Sequence, residues 1–235
     1  MSFFLICDYR EHGSVLFKRT NAFSKCGTCQ QLKSDTQAFG SNDKRAEAQA
    51  VRDKLTKHHN EIACERRNLY CHWDEAMQPT GRHVCYMIDG MDQQKTSIPH
   101  ERQSNKRLDP DSQLKTHVIG GLIMLPERQV HAFTSFGDEY PKGTDHTFTV
   151  LLKLIKASPL PLRPICHIHL DKCVSENKNK DFFAGIQYLI HRGVFKEIHV
   201  HYLPVGHTHE LIDQMFSRFS VNLQYADAMT GICKL

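Results

Sequence analysis

The chain has no run of the roughly 18 apolar residues that a membrane span requires. Its opening stretch, MSFFLICDYREH, holds five consecutive apolar residues before Asp8, too few for the core of a signal peptide. A soluble, intracellular protein is the expectation. A dominant charge is also missing: 30 Lys and Arg stand against 26 Asp and Glu, for a net charge of +4. That balance admits a nucleic-acid partner without demanding one. The nine cysteines are odd in number and scattered, so they do not read as the framework of a secreted disulfide scaffold. Internal repeats and low-complexity segments are absent as well, and a hydrophobic content of 40% excludes a disordered chain. Histidine is the residue in excess: there are 16, many of them in the second half.

Two textures divide the sequence. Residues 1–80 read as a mainly helical appendage: a short strand-like opening, the loop FSKCGTCQQLKSD, and a long helix from about Asn42 to Tyr70. On that helix Val51, Leu55, His58, Ile62 and Leu69 fall near one face, opposite a charged one. Pro79 and Gly81 mark the boundary. Residues 81–225 then alternate strand and helix signals, and 226–235 form a tail. VCYMID, LKTHVIGGLIML and QVHAFTSF are strands, the last two joined by a hairpin at Pro126, Glu127 and Arg128. A helix through Phe148, Leu151, Leu152 and Ile155 stops at Ser158-Pro159. PICHIHLD is a buried strand, Asp181 to His191 a helix closed by Gly193, EIHVHYLPV a strand, and His207 to about Asn222 the last helix. The order β-β-β-α-β-α-β-α requires antiparallel pairing at the start and parallel crossovers at the end. The predicted fold is therefore α/β, a five-stranded mixed sheet of RNase H-like topology flanked by helices.

Three acids fall where this topology gathers the chain. Asp89 ends the first strand, Asp171 ends the fourth, and Asp213 lies on the last helix. Adjacent first and fourth strands would present Asp89 and Asp171 side by side, with the last helix packed over them. Carboxylates so crowded call for a cation, and hard oxygen donors select Mg²⁺ or Mn²⁺. A pair of such ions serves phosphodiester chemistry. The last helix buries Ile212, Met215, Phe216, Phe219 and Leu223, while Glu210, Asp213, Gln214 and Ser217 share its other side. Glu210 is thus the rival third ligand. A single Asp at a strand end is more often a turn residue, and it is the set of three that favours a site.

The phrases IDGMDQQKTSIPH, LDKCVSENKNKDFF and LPVGHTHELIDQMFSR resemble a eukaryotic transposon-derived family, otherwise known only as a domain of unknown function, whose RNase H-like core is similar to that of DDE-type transposases. The likeness runs from about Cys26 to Phe219. It implies an Asp, Asp, Asp/Glu metal site, a polynucleotidyl transferase or nuclease acting on DNA, a homo-oligomer for synapsis and a nuclear location. Its alternative is a domesticated or inactive remnant that binds nucleic acid or protein.

Other residues are weighed against blander roles. Lys95, Lys178 and Lys180 stand near the acids and are candidates for phosphate contact, though loop lysines are usually only solvated. His207 and His209, at the start of the last helix, either meet a phosphate or cap the helix. Glu176 and Asn177 add an oxygen ligand, or Asn177 and Asn179 shape a turn. Cys26 and Cys29 form a CxxC that either holds structural Zn²⁺ or stays a reduced pair; His58, His59, Cys64, Cys71 and His72 are the completing candidates, with His58 foremost. His167 and His169, and His199 and His201, alternate on successive strands. Their spacing matches no common zinc signature, so bonding to neighbours is favoured over a zinc hydrolase.

Overall fold

The computed structural model describes residues 26–40, 45–92, 96–97, 114–137, 143–202 and 211–225. The strand-like opening and the tail from 226 lie outside the described residues. Helix α1 spans Gly27–Gly40 and α2 Arg45–Ala76; strands β1 His83–Gly90, β2 Thr116–Met124 and β3 Gln129–Phe136 follow; then come α3 Thr144–Ala157, β4 Ile165–Leu170, α4 Lys180–His191, β5 Glu197–Tyr202 and α5 Leu211–Tyr225. The strands form one mixed sheet in the order β3-β2-β1-β4-β5. β1 and β3 run antiparallel to β2, while β4 lies parallel to both β1 and β5. The chain is thus α/β with a five-stranded mixed sheet and flanking helices.

Strand alternation splits the core into two layers. Val84, Tyr86 and Ile88 of β1 join Cys166, Ile168 and Leu170 of β4 on the face covered by α3 and α4. Cys85 and Met87 face the other way, into a layer with Leu69, Trp73 and Ala76 of α2 and Ile212, Met215, Phe216 and Phe219 of α5. The Ser158 stop on α3 is also a core contact, since its buried hydroxyl lies 2.7 Å from Tyr86 Oη and donates to Leu154 O. Gly193 adopts φ +69° just past α4, the left-handed conformation for which glycine carries no Cβ penalty.

Two expectations for the first 80 residues are corrected. FSKCGTCQQLKSD is not a loop through its length, because α1 begins at Gly27 and runs on to Gly40. The long helix ends at Ala76 instead of Tyr70. Its buried positions Ile62, Arg66, Leu69, Trp73 and Ala76 continue one stripe at spacings of three and four, so packing against the sheet carries it past the polar DEA segment. The Arg163 guanidinium then closes the turn below. It donates to the carbonyls of Ala76 at 2.8 Å, His83 at 3.0 Å and Gln78 at 3.0 Å, satisfying groups that the helix end leaves open. Gly81 has no room for a side chain there, since a Cβ would sit 2.8 Å from Glu75 O and 3.1 Å from Arg163 Nη1.

Candidate active site

Asp89 and Asp171 arise from neighbouring parallel strands. The last registered pair of β1 and β4 is Met87 with His169, and both acids follow two residues later on the same face. The third element arrives through a glycine. Gly120 of β2 is the register partner of Asp89, and a Cβ on it would come within 2.5 Å of Met215 Cε and 2.8 Å of Ile212 Cγ2. Its bare backbone lets α5 lie against the strand directly across from Asp89. Asp213, half-buried in the first described turn of α5, is thereby close enough for its charge to act on Asp89.

The electrostatics record this crowding. Asp89 is pushed up from 3.8 to about 7, first by burial, then by the Asp213 carboxylate, with Asp171 and Glu176 adding to it and the Gly90 backbone N–H opposing. That N–H donates to Asp89 Oδ1 at 2.8 Å. Asp171 is fixed differently. Asn177 Nδ2 and the backbone N–H of Cys173 both donate to its Oδ1. Asn177 is itself buried; its carbonyl oxygen accepts from Tyr202 Oη at 2.8 Å, and its side-chain Oδ1 has no partner. A buried amide oxygen without a donor is costly, and Asn177 lines the same cleft as Asp89 and Asp171.

These groups open on a cleft of about 110 Å³ lined by Asp89, Asp171, Glu176, Asn177, His117 and His146. The two histidines are buried, with ring centroids 5.7 Å apart, and Ser135 Oγ lies 3.2 Å from His146 Nε2. Neither was expected at the site from the sequence. His117 lies on β2 and His146 in the first turn of α3, both among buried residues, and nothing local distinguishes them from core positions. Asp213 does not line the cleft but influences it through Asp89. The cleft thus gathers oxygen donors from Asp89, Asp171, Glu176 and Asn177.

The supporting candidates separate. Asn179, not Asn177, shapes the turn: its Oδ1 accepts from the N–H of Asp181 at 3.1 Å and of Phe182 at 2.9 Å, capping α4. Lys178 holds its ammonium 5.4 Å from the Tyr202 ring, and Lys180 is exposed at the start of α4. Lys95, His207, His209 and Glu210 lie outside the described residues.

Three sets of donor atoms lie within 4.8 Å of one another among the described residues: Cys26, Cys29 and His58; His72, His167 and His201; and Glu75, His83 and His167. Asp89, Asp171 and Asp213 are more widely spaced and do not form such a set. In the first, Cys26 Sγ is 3.3 Å from His58 Nε2, and Cys29 Sγ is 3.5 Å from His59 Nε2. Both thiols are buried between α1 and α2, and burial with the adjoining Cys26 raises that of Cys29. Cys64 and Cys71 are exposed elsewhere on α2, and His72 turns to the sheet, so none of the three completes the CxxC.

No helix among the described residues is long and apolar enough to cross a membrane. Compared with known proteins, residues 106–232 match the family model described as Domain of unknown function (DUF7869). That stretch is more than half of the chain and contains Asp171 and Asp213, while β1 with Asp89 precedes it. No curated protein and no solved structure matches the chain.

Proposed function

This chain belongs to the family described as Domain of unknown function (DUF7869), and we propose that it is a transposase-like, metal-dependent polynucleotidyl transferase or nuclease acting on DNA. The observation that carries the proposal is the cleft that Asp89, Asp171 and Glu176 line together, with Asp213 of α5 near enough for its charge to act on Asp89, which burial first and these carboxylates after it raise to about 7. The strand order β3-β2-β1-β4-β5, with two antiparallel and two parallel pairings, is the one an RNase H-like core requires, and it supports that fold assignment. A DNA partner, a nuclear site of action and a homo-oligomer for synapsis follow from the same proposal.

In this mechanism Asp89, Asp171 and Asp213 would hold Mg²⁺ or Mn²⁺, with Asn177 beside them as a further oxygen donor. When bound, the ions supply activation of a water or 3′-hydroxyl and stabilisation of the leaving oxygen. Asp171 is already oriented by Asn177 and the Cys173 N–H, which both donate to its Oδ1. His117 and His146 border the cleft and exclude bulk water from one wall. The CxxC is assigned a structural Zn²⁺ held by Cys26, Cys29 and His58, with His59 beside Cys29 as the fourth donor, tying α1 to α2.

The test uses the full chain with Mn²⁺ and end-labelled DNA, compared with Asp171→Asn. Cleavage or strand transfer should be lost in the variant. Equal product from both would place the activity elsewhere. If neither acts on DNA and both bind it alike, the non-catalytic binding module becomes the better account.

A further inference from the structure

We propose that His72, His167 and His201 form a binding site for one divalent transition-metal ion, Zn²⁺ by preference, which fastens α2 to β4 and β5. The site is separate from the carboxylates. His167 lies on β4 four residues before Asp171, which follows the strand's end, a distance of roughly 13 Å at the rise of an extended chain.

The argument begins with strand alternation. His167 on β4 and His201 on β5 point to the same face as Cys85 and Met87, the face that α2 covers. On the β1 side of that face the layer between sheet and helix is apolar. On the β4–β5 side it is made of imidazoles: His72 of α2 stacks 4.2 Å from the His167 ring and 4.5 Å from His201. Rings buried against one another in this way gain little as core, because each carries two nitrogens that need partners.

The nitrogens do not find enough of them. His72 Nδ1 is buried with no hydrogen bond among the described residues. His167 Nδ1 faces His201 Nε2 at 3.2 Å, so one of the two lone pairs must meet a proton or both must meet a cation. Two nitrogens bound to tetrahedral zinc at its usual bond length sit roughly 3.3 Å apart. The observed separation fits a shared ion, and the donor atoms of all three residues lie within 4.8 Å of one another.

The outer contacts are those of a metal-bound imidazole. With Nδ1 on the ion, His167 keeps its proton on Nε2, which lies 2.9 Å from His83 Nδ1. Ligating histidines commonly donate their second N–H to such an acceptor. Glu75, one turn along α2 from His72, has a carboxylate oxygen 3.3 Å from His83 Nδ1 and brings negative charge toward an otherwise neutral ligand set. His169, the neighbour that pairs with His167 in the sequence, is not in the set; its ring lies 5.6 Å from His72.

The full chain, stripped with chelator and loaded with Co²⁺, decides the matter. Besides any cobalt on the CxxC, one bound ion per chain should give a visible spectrum without thiolate charge-transfer bands, seen by itself in Cys26→Ser. It should disappear in His201→Gln while persisting in Cys26→Ser and in Asp171→Asn. Should His201→Gln not fold, His72→Gln, on the helix and outside the sheet, should lose the same ion. Folded histidine variants that retain full cobalt content would overturn the site. So would an unmutated chain whose only tightly held cobalt carries thiolate bands.

Discussion

Asp89→Asn should make the metal-free protein more stable at pH 8 and leave it unchanged near pH 4. The carboxyl is raised from 3.8 to about 7 in the fold, so the folded state binds its proton more tightly than the unfolded chain does. Stability from this group is complete below pH 4 and is lost as pH rises through 7. Lifting a carboxyl by that much corresponds to ~4 kcal/mol at full burial. Asp89 keeps some access to solvent, and about 2 kcal/mol is a fair expectation after screening. Asparagine has nearly the same shape and no charge to place beside Asp213 and Asp171. For a domain of this size about 2 kcal/mol corresponds to a melting shift of ~4–8 °C. The assay is thermal unfolding of both proteins in chelator across pH 4 to 8, read as the difference between them so that other titrating groups cancel. Mn²⁺ should then raise the melting temperature of the native protein and have little effect on the variant. A gap that is absent at pH 8, or equal at pH 4 and 8, would refute the crowding of carboxylates around Asp89.

Gly120→Val should cost ~1–3 kcal/mol from overpacking, because its side chain would enter the space of Met215 and Ile212; the same variant should lose the Mn²⁺ response as α5 and Asp213 are displaced, and denaturant melts with and without metal check both. Asn177→Ala removes the donor that fixes Asp171 and should lower stability by ~1 kcal/mol while reducing Mn²⁺-dependent activity far more than the fold. In metal-free protein the buried neutral histidines should make the fold acid-labile. His167 and His201 are lowered from 6.5 to about 3 and about 4, so the unfolded chain takes up protons first and stability falls as pH drops below 6.5; His201→Gln should flatten that limb in a pH series of melts.

Much of the frame is legible from local pattern. The strand at VCYMID, the hairpin at Pro126 to Arg128 and the stop at Ser158 each carry their own signal of periodicity or turn chemistry. Asp89 and Asp171 fall at strand ends for the same reason. What local pattern does not show is set by contacts distant in sequence. α1 has few apolar residues and holds its place by burying Cys26 and Cys29 against His58 and His59, some 30 residues away. Trp73 and Ala76 prolong α2 because the sheet receives them. Asn177 and Asn179 look alike in NKNK, and only folding assigns one to the Asp171 carboxylate and the other to a helix cap. The sheet partners of His72 are not marked near it in sequence, since they lie on strands about 95 and 129 residues later.

The middle position of β1 also governs how the protein can be divided. Hydrogen-bonded to β2 on one side and to β4 on the other, it is the seam of the sheet. A fragment begun after Gly90 would keep four strands yet expose two long apolar edges where one strand should sit. Such edges recruit strands from other chains. Expression trials cut at that point should yield aggregates, and the smallest separately folding piece should begin within α2, far enough upstream to retain Leu69 and Trp73 as the cover of the seam.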